Sequence, residues 1–285
     1  MDRLTKSAAL INVTKLRFTN HDSLFTNGRQ YMKRTIFIVL AIITLAPGTL
    51  LGTPKAAYVW NQLEDGLYYA TYSFTISEKE RTTIHAFRID PKKFKLDVLI
   101  AKNEETGTTT EELAKNNNAL TVINGGFFTP EHKSIGLIVR NGKRISSLHN
   151  TSWWSIFALK NNRATIMRPN QFTLTKNTQI ALQVGPRLVI DGKIPKLKES
   201  FATRSAVGIS RKGLVTLVIT SGHGISMNEL AKRMRDSRWQ GGLECPSAMA
   251  LDGGSSSQIY AKIGKFEFSQ QGSAKITNGL AVLAK

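Results

Sequence analysis

Short runs of β-branched and aromatic residues, each closed by a charged turn, set the main limit on what this chain can fold into. "YYATYSFTI" (68–76), "TTIHAFRI" (82–89) and "FKLDVLIA" (94–101) follow one another closely and read as strands. Further strands are expected at 119–124, 135–140, 155–160, 179–190, 205–210 and 214–220, then at "AMALD", "QIYAKI" and "GLAVLA". Helices interrupt this pattern in two places. Thr109 and Glu112 in "TTEE" have capping-box spacing and open a helix over about 110–117. "SMNE" (226–229) repeats the signal and opens a helix through about Arg235, with Leu230 and Met234 on one face. Many strands, few helices and no regular βαβ alternation predict an α+β fold, a strand-rich mixed-sheet domain with a few helices.

The chain has 285 residues, 41% of them hydrophobic, enough for a sizeable core. No fixed-period repeat or low-complexity segment is present. Residues 1–57 differ from the rest. After a polar stretch, Lys33 and Arg34 precede an apolar run from Ile36 to Ala46, followed by Pro47 and small residues. This order of charged, apolar and small residues predicts a secretory signal, with Met32 as an alternative start. The run is shorter than the 18 or so residues of a membrane span, although an uncleaved tether through 36–51 is also compatible with it. The expected organisation is a leader over 1–57 and one domain over 58–285, exported to the periplasm or beyond and either free or membrane-anchored.

The formal net charge is +19, and residues 58–285 alone carry 31 Lys and Arg against 18 Asp and Glu, or +13. Such an excess favours anionic partners. No RNA-binding, zinc-finger or helix-turn-helix signature accompanies it, and a leader for export argues against nucleic acid. The single Cys245 cannot form an internal disulfide and reads as a small packing residue. No Cys/His spacing predicts a metal site, so no cofactor is expected; a divalent cation is left open.

Three glycine-bearing stretches follow apolar runs: "INGGFF" (123–128), "QVGPRLVIDGK" (183–193) and "ALDGGSSS" (250–257). Glycine lets backbone approach a ligand closely, and successive N–H groups can form a concavity for anions. Arg187 and Arg204 lie nearby in sequence. Asn124, Asp252 and the hydroxyls of Ser255 and Ser256 are suited to sugar or phosphate oxygens.

The succession "INGGFFTPEHKSIGLIVRNGK", "LQVGPRLVIDGKI", "TRSAVGIS", "MNELAKRMRD" and "ALDGGSSSQIY" resembles, in order and rough spacing, the phosphodiester glycosidase domain family over about residues 80–284. The likeness is to its small bacterial branch, related to the enzyme that uncovers mannose 6-phosphate. The resemblance implies a strand-rich α+β domain that hydrolyses a glycosidic bond whose leaving oxygen belongs to a phosphodiester. It carries over Asn124, Gly125 and Gly126; Gly185, Pro186 and Arg187; Arg204; and Asp252, Gly253, Gly254 and Ser255. Asp252, Arg204 and Asn124 are the expected catalytic groups, and the remainder, with Ser256, are expected to bind substrate. A sugar 1-phosphodiester loses a weakly basic phosphate ester. Neutralisation by Arg or N–H groups therefore matters more than protonation, and one carboxylate suffices beside the two of an ordinary glycosidase.

Lesser candidates are His223 in "SGHG" as an acid or base, and Glu131 in "TPEHKS" as a second carboxylate beside His132. Trp153 and Trp154 could stack on a sugar ring or fill the core. Two rival readings are a serine hydrolase using Ser221 or Ser255 with His223 and Asp252, for which no G-x-S-x-G elbow exists, and a non-catalytic module for an anionic envelope polymer.

Overall fold

The structure is a computed structural model that describes residues 58–77, 80–103 and 105–285. The leader, the signal-like run and the tether at 36–51 lie outside the described residues. Among those described, no helix is long and apolar enough to cross a membrane.

Most strands fall into three sheets. A seven-stranded sheet orders Asn61–Glu64, Leu67–Ser77, Glu80–Ile89, Val215–Gly222, Ser205–Ile209, Ser247–Ala250 and Arg187–Val189. One five-stranded sheet is built around Thr178–Val184, flanked by Ile138–Arg140 and Ser155–Lys160. A second is built around Thr121–Asn124, flanked by Ile259–Ile263 and Asn278–Leu283. The strand-rich α+β class is as expected, with one correction. Every described strand pairing is antiparallel, so the sheets are not mixed in direction.

All three sheets share one core. Phe87 and Leu217 of the wide sheet, Phe157 and Leu182 of the first five-stranded sheet, and Ile123 and Leu280 of the second meet in it. Strand Ser205–Ile209 is buried on both faces, which its alternation explains. Val207 and Ile209 face that shared core, while Ala206 faces a second cluster with Leu230 and Met234. Helix Met227–Arg235 thus caps the outer face of the wide sheet, and each such buried side chain stabilises the fold by roughly 1.5–3 kcal/mol. Helix Thr110–Asn117 covers the second five-stranded sheet through Leu113 and Ala114. Asp97, fully buried, takes Arg140 Nε at 3.1 Å and Nη2 at 3.1 Å, tying the two five-stranded sheets together.

Four local details bear on the expectations above. The capping box of Thr109 and Glu112 is complete. At the second helix only half forms: Ser226 Oγ accepts from Glu229 N at 3.1 Å, while the Glu229 carboxylate turns outward to Arg233 Nε at 2.8 Å. The segment 179–190 is not one strand. It divides at the cis Gly185–Pro186 peptide into Thr178–Val184 and Arg187–Val189, which belong to different sheets. Proline has no N–H for a ladder, and a Cβ at Gly185 would stand 2.9 Å from the Trp154 backbone. Cys245 is buried and unpaired, and burial pushes its thiol up to about 11, as suits a packing residue.

Candidate active site

The turn that follows strand Ser247–Ala250 is held where two sheets meet. Asn124 ends strand Thr121–Asn124 of the second five-stranded sheet and is buried. Its Nδ2 donates to the Asp252 carbonyl at 2.8 Å. Its Oδ1 accepts from Ser205 Oγ at 2.6 Å and from Gln258 N at 3.1 Å. The next residue completes the join, for Asp252 N donates to the Gly125 carbonyl at 3.0 Å. Gly125 is required here, because a Cβ would collide with the Asn278 carboxamide. That carboxamide is itself occupied, with Oδ1 accepting from Gly126 N at 2.7 Å. Gly126 in turn abuts the Gln183 carbonyl, so the Gly-Gly turn bridges both five-stranded sheets.

Asp252 is partly buried, and Gly253 N donates to its Oδ1 at 2.9 Å. Burial raises its pKa above the usual carboxylate value, and the Ser256 hydroxyl and the Gly253 N–H pull it part of the way back. Gly253 lies against Arg204, where a Cβ would stand 3.3 Å from Nη1. Arg204 is anchored at its backbone, with N donating to Thr220 Oγ1 at 2.8 Å and O accepting from Thr220 N at 2.9 Å. Its Nη2 donates to the carbonyl and hydroxyl of Ser200 at 2.6 and 2.8 Å. Its Nε is buried without a partner, and burial draws the guanidinium below its ordinary pKa. No ion pair to Arg204 exists among the described residues. A guanidinium half withdrawn from water and facing no carboxylate is suited to an incoming anion.

Beside this turn, a cavity of about 380 Å³ is lined by Thr203, Gly254, Ser255, Ser257, Gln270 and Ser273, among others. Ser257 Oγ and Gln270 Oε1 are buried without partners. Among the described residues no group of His, Cys, Asp and Glu gathers in a way that would hold a metal ion.

A family model for phosphodiester glycosidases matches residues 117–283. The chain belongs to the phosphodiester glycosidase family. It is 26% identical over 155 residues to YigE, an uncharacterized protein of Escherichia coli K12; the match covers 48% of this chain and 61% of YigE. Among solved structures, the catalytic domain of zebrafish N-acetylglucosamine-1-phosphodiester alpha-N-acetylglucosaminidase, auto-inhibited by its pro-peptide, is similar with a TM-score of 0.62 and 16% identity. That likeness covers 79% of this chain and 86% of the zebrafish chain. A putative exported protein from Burkholderia pseudomallei K96243 has a TM-score of 0.53 at 14% identity, over 72% of this chain and 74% of its own. At such identities the structural likenesses speak for the fold.

The family's sequence blocks converge through backbone more than through side chains. Asn124, Gly125, Gly126, Arg204, Asp252, Gly253, Gly254, Ser255 and Ser256 form one neighbourhood, and Gly185 approaches it because Pro186 O accepts from Ala250 N at 2.9 Å. Asn124 does not stand as a reacting group. Both ends of its carboxamide are taken up by protein partners and it has no exposure, so it is a positioning residue. Arg187 does not join Arg204; it lines a separate cavity with Arg168. His223 is exposed and its Nε2 lies 2.9 Å from Glu80 Oε1. Glu131 sits in an exposed turn, where the Thr129 hydroxyl holds its carboxyl below the usual value. Ser221 neighbours His85 Nε2 at 3.3 Å and not His223, while Tyr69 Oη contacts His85 Nδ1 at 2.7 Å. Trp154 is core, whereas Trp153 is 54% exposed and packs on Phe127 beside the Gly-Gly turn.

Sequence reasoning missed Ser205, Gln258, Asn278 and Thr220, which hold the site. Only Gln258, adjacent to the serine run, carried a local signal. Ser205 reaches Asn124 from another sheet, while Asn278 and Thr220 act from neighbouring strands that are distant in the chain, and such pairings leave no periodic trace.

Proposed function

We propose that this chain hydrolyses the glycosidic bond of a sugar 1-phosphodiester in an exported or envelope glycopolymer or glycoconjugate. The supporting observation is Asp252, a carboxylate raised by burial, one residue from a glycine packed on the unpaired Arg204 guanidinium. In the reaction, water attacks the anomeric carbon and the bond from that carbon to the phosphate oxygen breaks. The phosphate monoester leaves with the bonding pair, its charge met by Arg204. Asp252 accepts the proton from water, a task that its raised pKa favours, and its charge opposes the positive charge growing at the anomeric carbon. The leader's charged and apolar order supports action outside the cytoplasm.

The test is hydrolysis of a sugar 1-phosphodiester in ¹⁸O-labelled water. Label recovered in the free reducing sugar supports cleavage at the anomeric carbon. Label in the phosphate would make the protein a phosphodiesterase, and no turnover by wild type would leave a binding module.

A further inference from the structure

The basic excess of residues 58–285 is not spent at the Asp252 turn. Part of it lies at one end of the wide sheet. Strand Ser205–Ile209 begins beside Arg204 and ends at Ile209, which pairs with Ser247 and Val215. At that far end, a strand's length of roughly 15 Å from Asp252, a cleft of about 620 Å³ is lined by Arg88, Arg211, Lys212, Arg235 and Arg238, with Glu244 as its one acid. Arg235 is paired with Asp236 at 2.6 Å. Arg211, Lys212 and Arg238 are exposed and form no ion pair among the described residues. Arg88 lies 4.1 Å over the Trp60 ring and donates to the Leu243 carbonyl at 2.7 Å, yet its Nε is buried without a partner.

Edge strand Arg187–Val189 connects this cleft to the Asp252 turn. Its first residue pairs with Met249, close to the turn, and Gly192 beyond its end donates to the Pro246 carbonyl at 2.8 Å, inside the cleft wall. The same strand lines a cavity of about 340 Å³ that holds Arg168, Arg187 and Asp191. Burial, and after it the neighbouring Arg168, draws the Arg187 guanidinium below its ordinary pKa, an arrangement that a bound anion relieves.

We propose that this edge is a track for successive phosphodiester groups of a polymeric substrate, running from the Asp252 turn past Arg168 and Arg187 to the cleft of Arg88, Arg211, Lys212 and Arg238. The inference rests on the phosphodiester reading above and adds that the substrate is a chain. Concave cavities in sequence along one strand suit a threaded polymer better than the flat face of a lipid bilayer.

The experiment measures binding without turnover, so it stands apart from the activity test. The full-length chain is titrated with linear inorganic polyphosphate at several salt concentrations. R211S/K212S/R238S removes exposed cations only. It is expected to weaken binding by about tenfold or more and to flatten the salt dependence, since fewer counterions are released. Hydrolysis of a monomeric sugar 1-phosphodiester should stay unchanged. Glu244→Gln removes the cleft's one acid and should tighten polyphosphate binding. Unchanged affinity in both variants overturns the track. So does tighter binding of wild type to phosphatidylglycerol vesicles, or to single-stranded DNA, than to polyphosphate at the same ionic strength.

Discussion

Asn124 Nδ2 donates to the Asp252 carbonyl at 2.8 Å across 128 residues of chain. The bond fixes the carboxylate-bearing turn to a different sheet from the one that delivers it. It also separates the two residues: Asn124 is fully buried and holds the turn, while Asp252 keeps a partly buried carboxylate.

Asp252→Asn keeps an oxygen for the Gly253 N–H and removes the anion. Activity on a sugar 1-phosphodiester should fall by about a hundredfold with KM nearly unchanged, because the lost interaction forms in the transition state. The burial-raised pKa sets the sign for stability. A carboxyl that holds its proton more tightly when folded loses stability as pH rises through its folded value, so at neutral pH the charge is a cost. The variant should therefore melt no lower than wild type at pH 7. A lower melting point with full activity would assign Asp252 to the turn alone.

Asn124→Ala strands three partners: the Asp252 carbonyl, the Ser205 hydroxyl and the Gln258 N–H. A loss of about 1–3 kcal/mol in urea unfolding is expected. Folded molecules should also lose kcat, since the turn is no longer held. Wild-type kcat in the folded fraction would reduce Asn124 to a purely structural part.

Arg204→Ala should raise KM for a sugar phosphodiester far more than it weakens binding of the free sugar, measured by inhibition. Among the described residues the guanidinium pairs with no carboxylate, so under the proposed reading its anion is the substrate's. Equal losses on both ligands would make it a structural residue.

His85 is stacked 4.4 Å from Phe268, and burial lowers its pKa from 6.5 to about 4. Between those values the unfolded chain binds the proton and the folded one does not, so stability is lost as pH falls from 6.5 towards 4. His85→Gln should flatten that part of the profile. Chemical unfolding at neutral pH and near pH 5 gives the comparison; an equal slope in both proteins would mean that His85 titrates normally.

What the sequence determined by itself is local. Alternation in 68–76 and 82–89 gave strands, Thr109 with Glu112 gave a capped helix, and the Gly-Gly and Gly-Gly-Ser blocks marked turns at strand ends. Each depends on neighbours a few residues apart, where backbone sterics and capping act. Tertiary structure alone decided which of the marked residues meet. Arg187 and Arg204 both follow the blocks closely in sequence, but the edge strand carries Arg187 towards Arg168, while the backbone bonds of Arg204 to Thr220 keep it against Gly253. The division of 179–190 between two sheets, and the choice of Asn124 as a clamp, come from contacts between sheets far apart in the chain. Such contacts form only when several faces are buried at once, and no single segment encodes them.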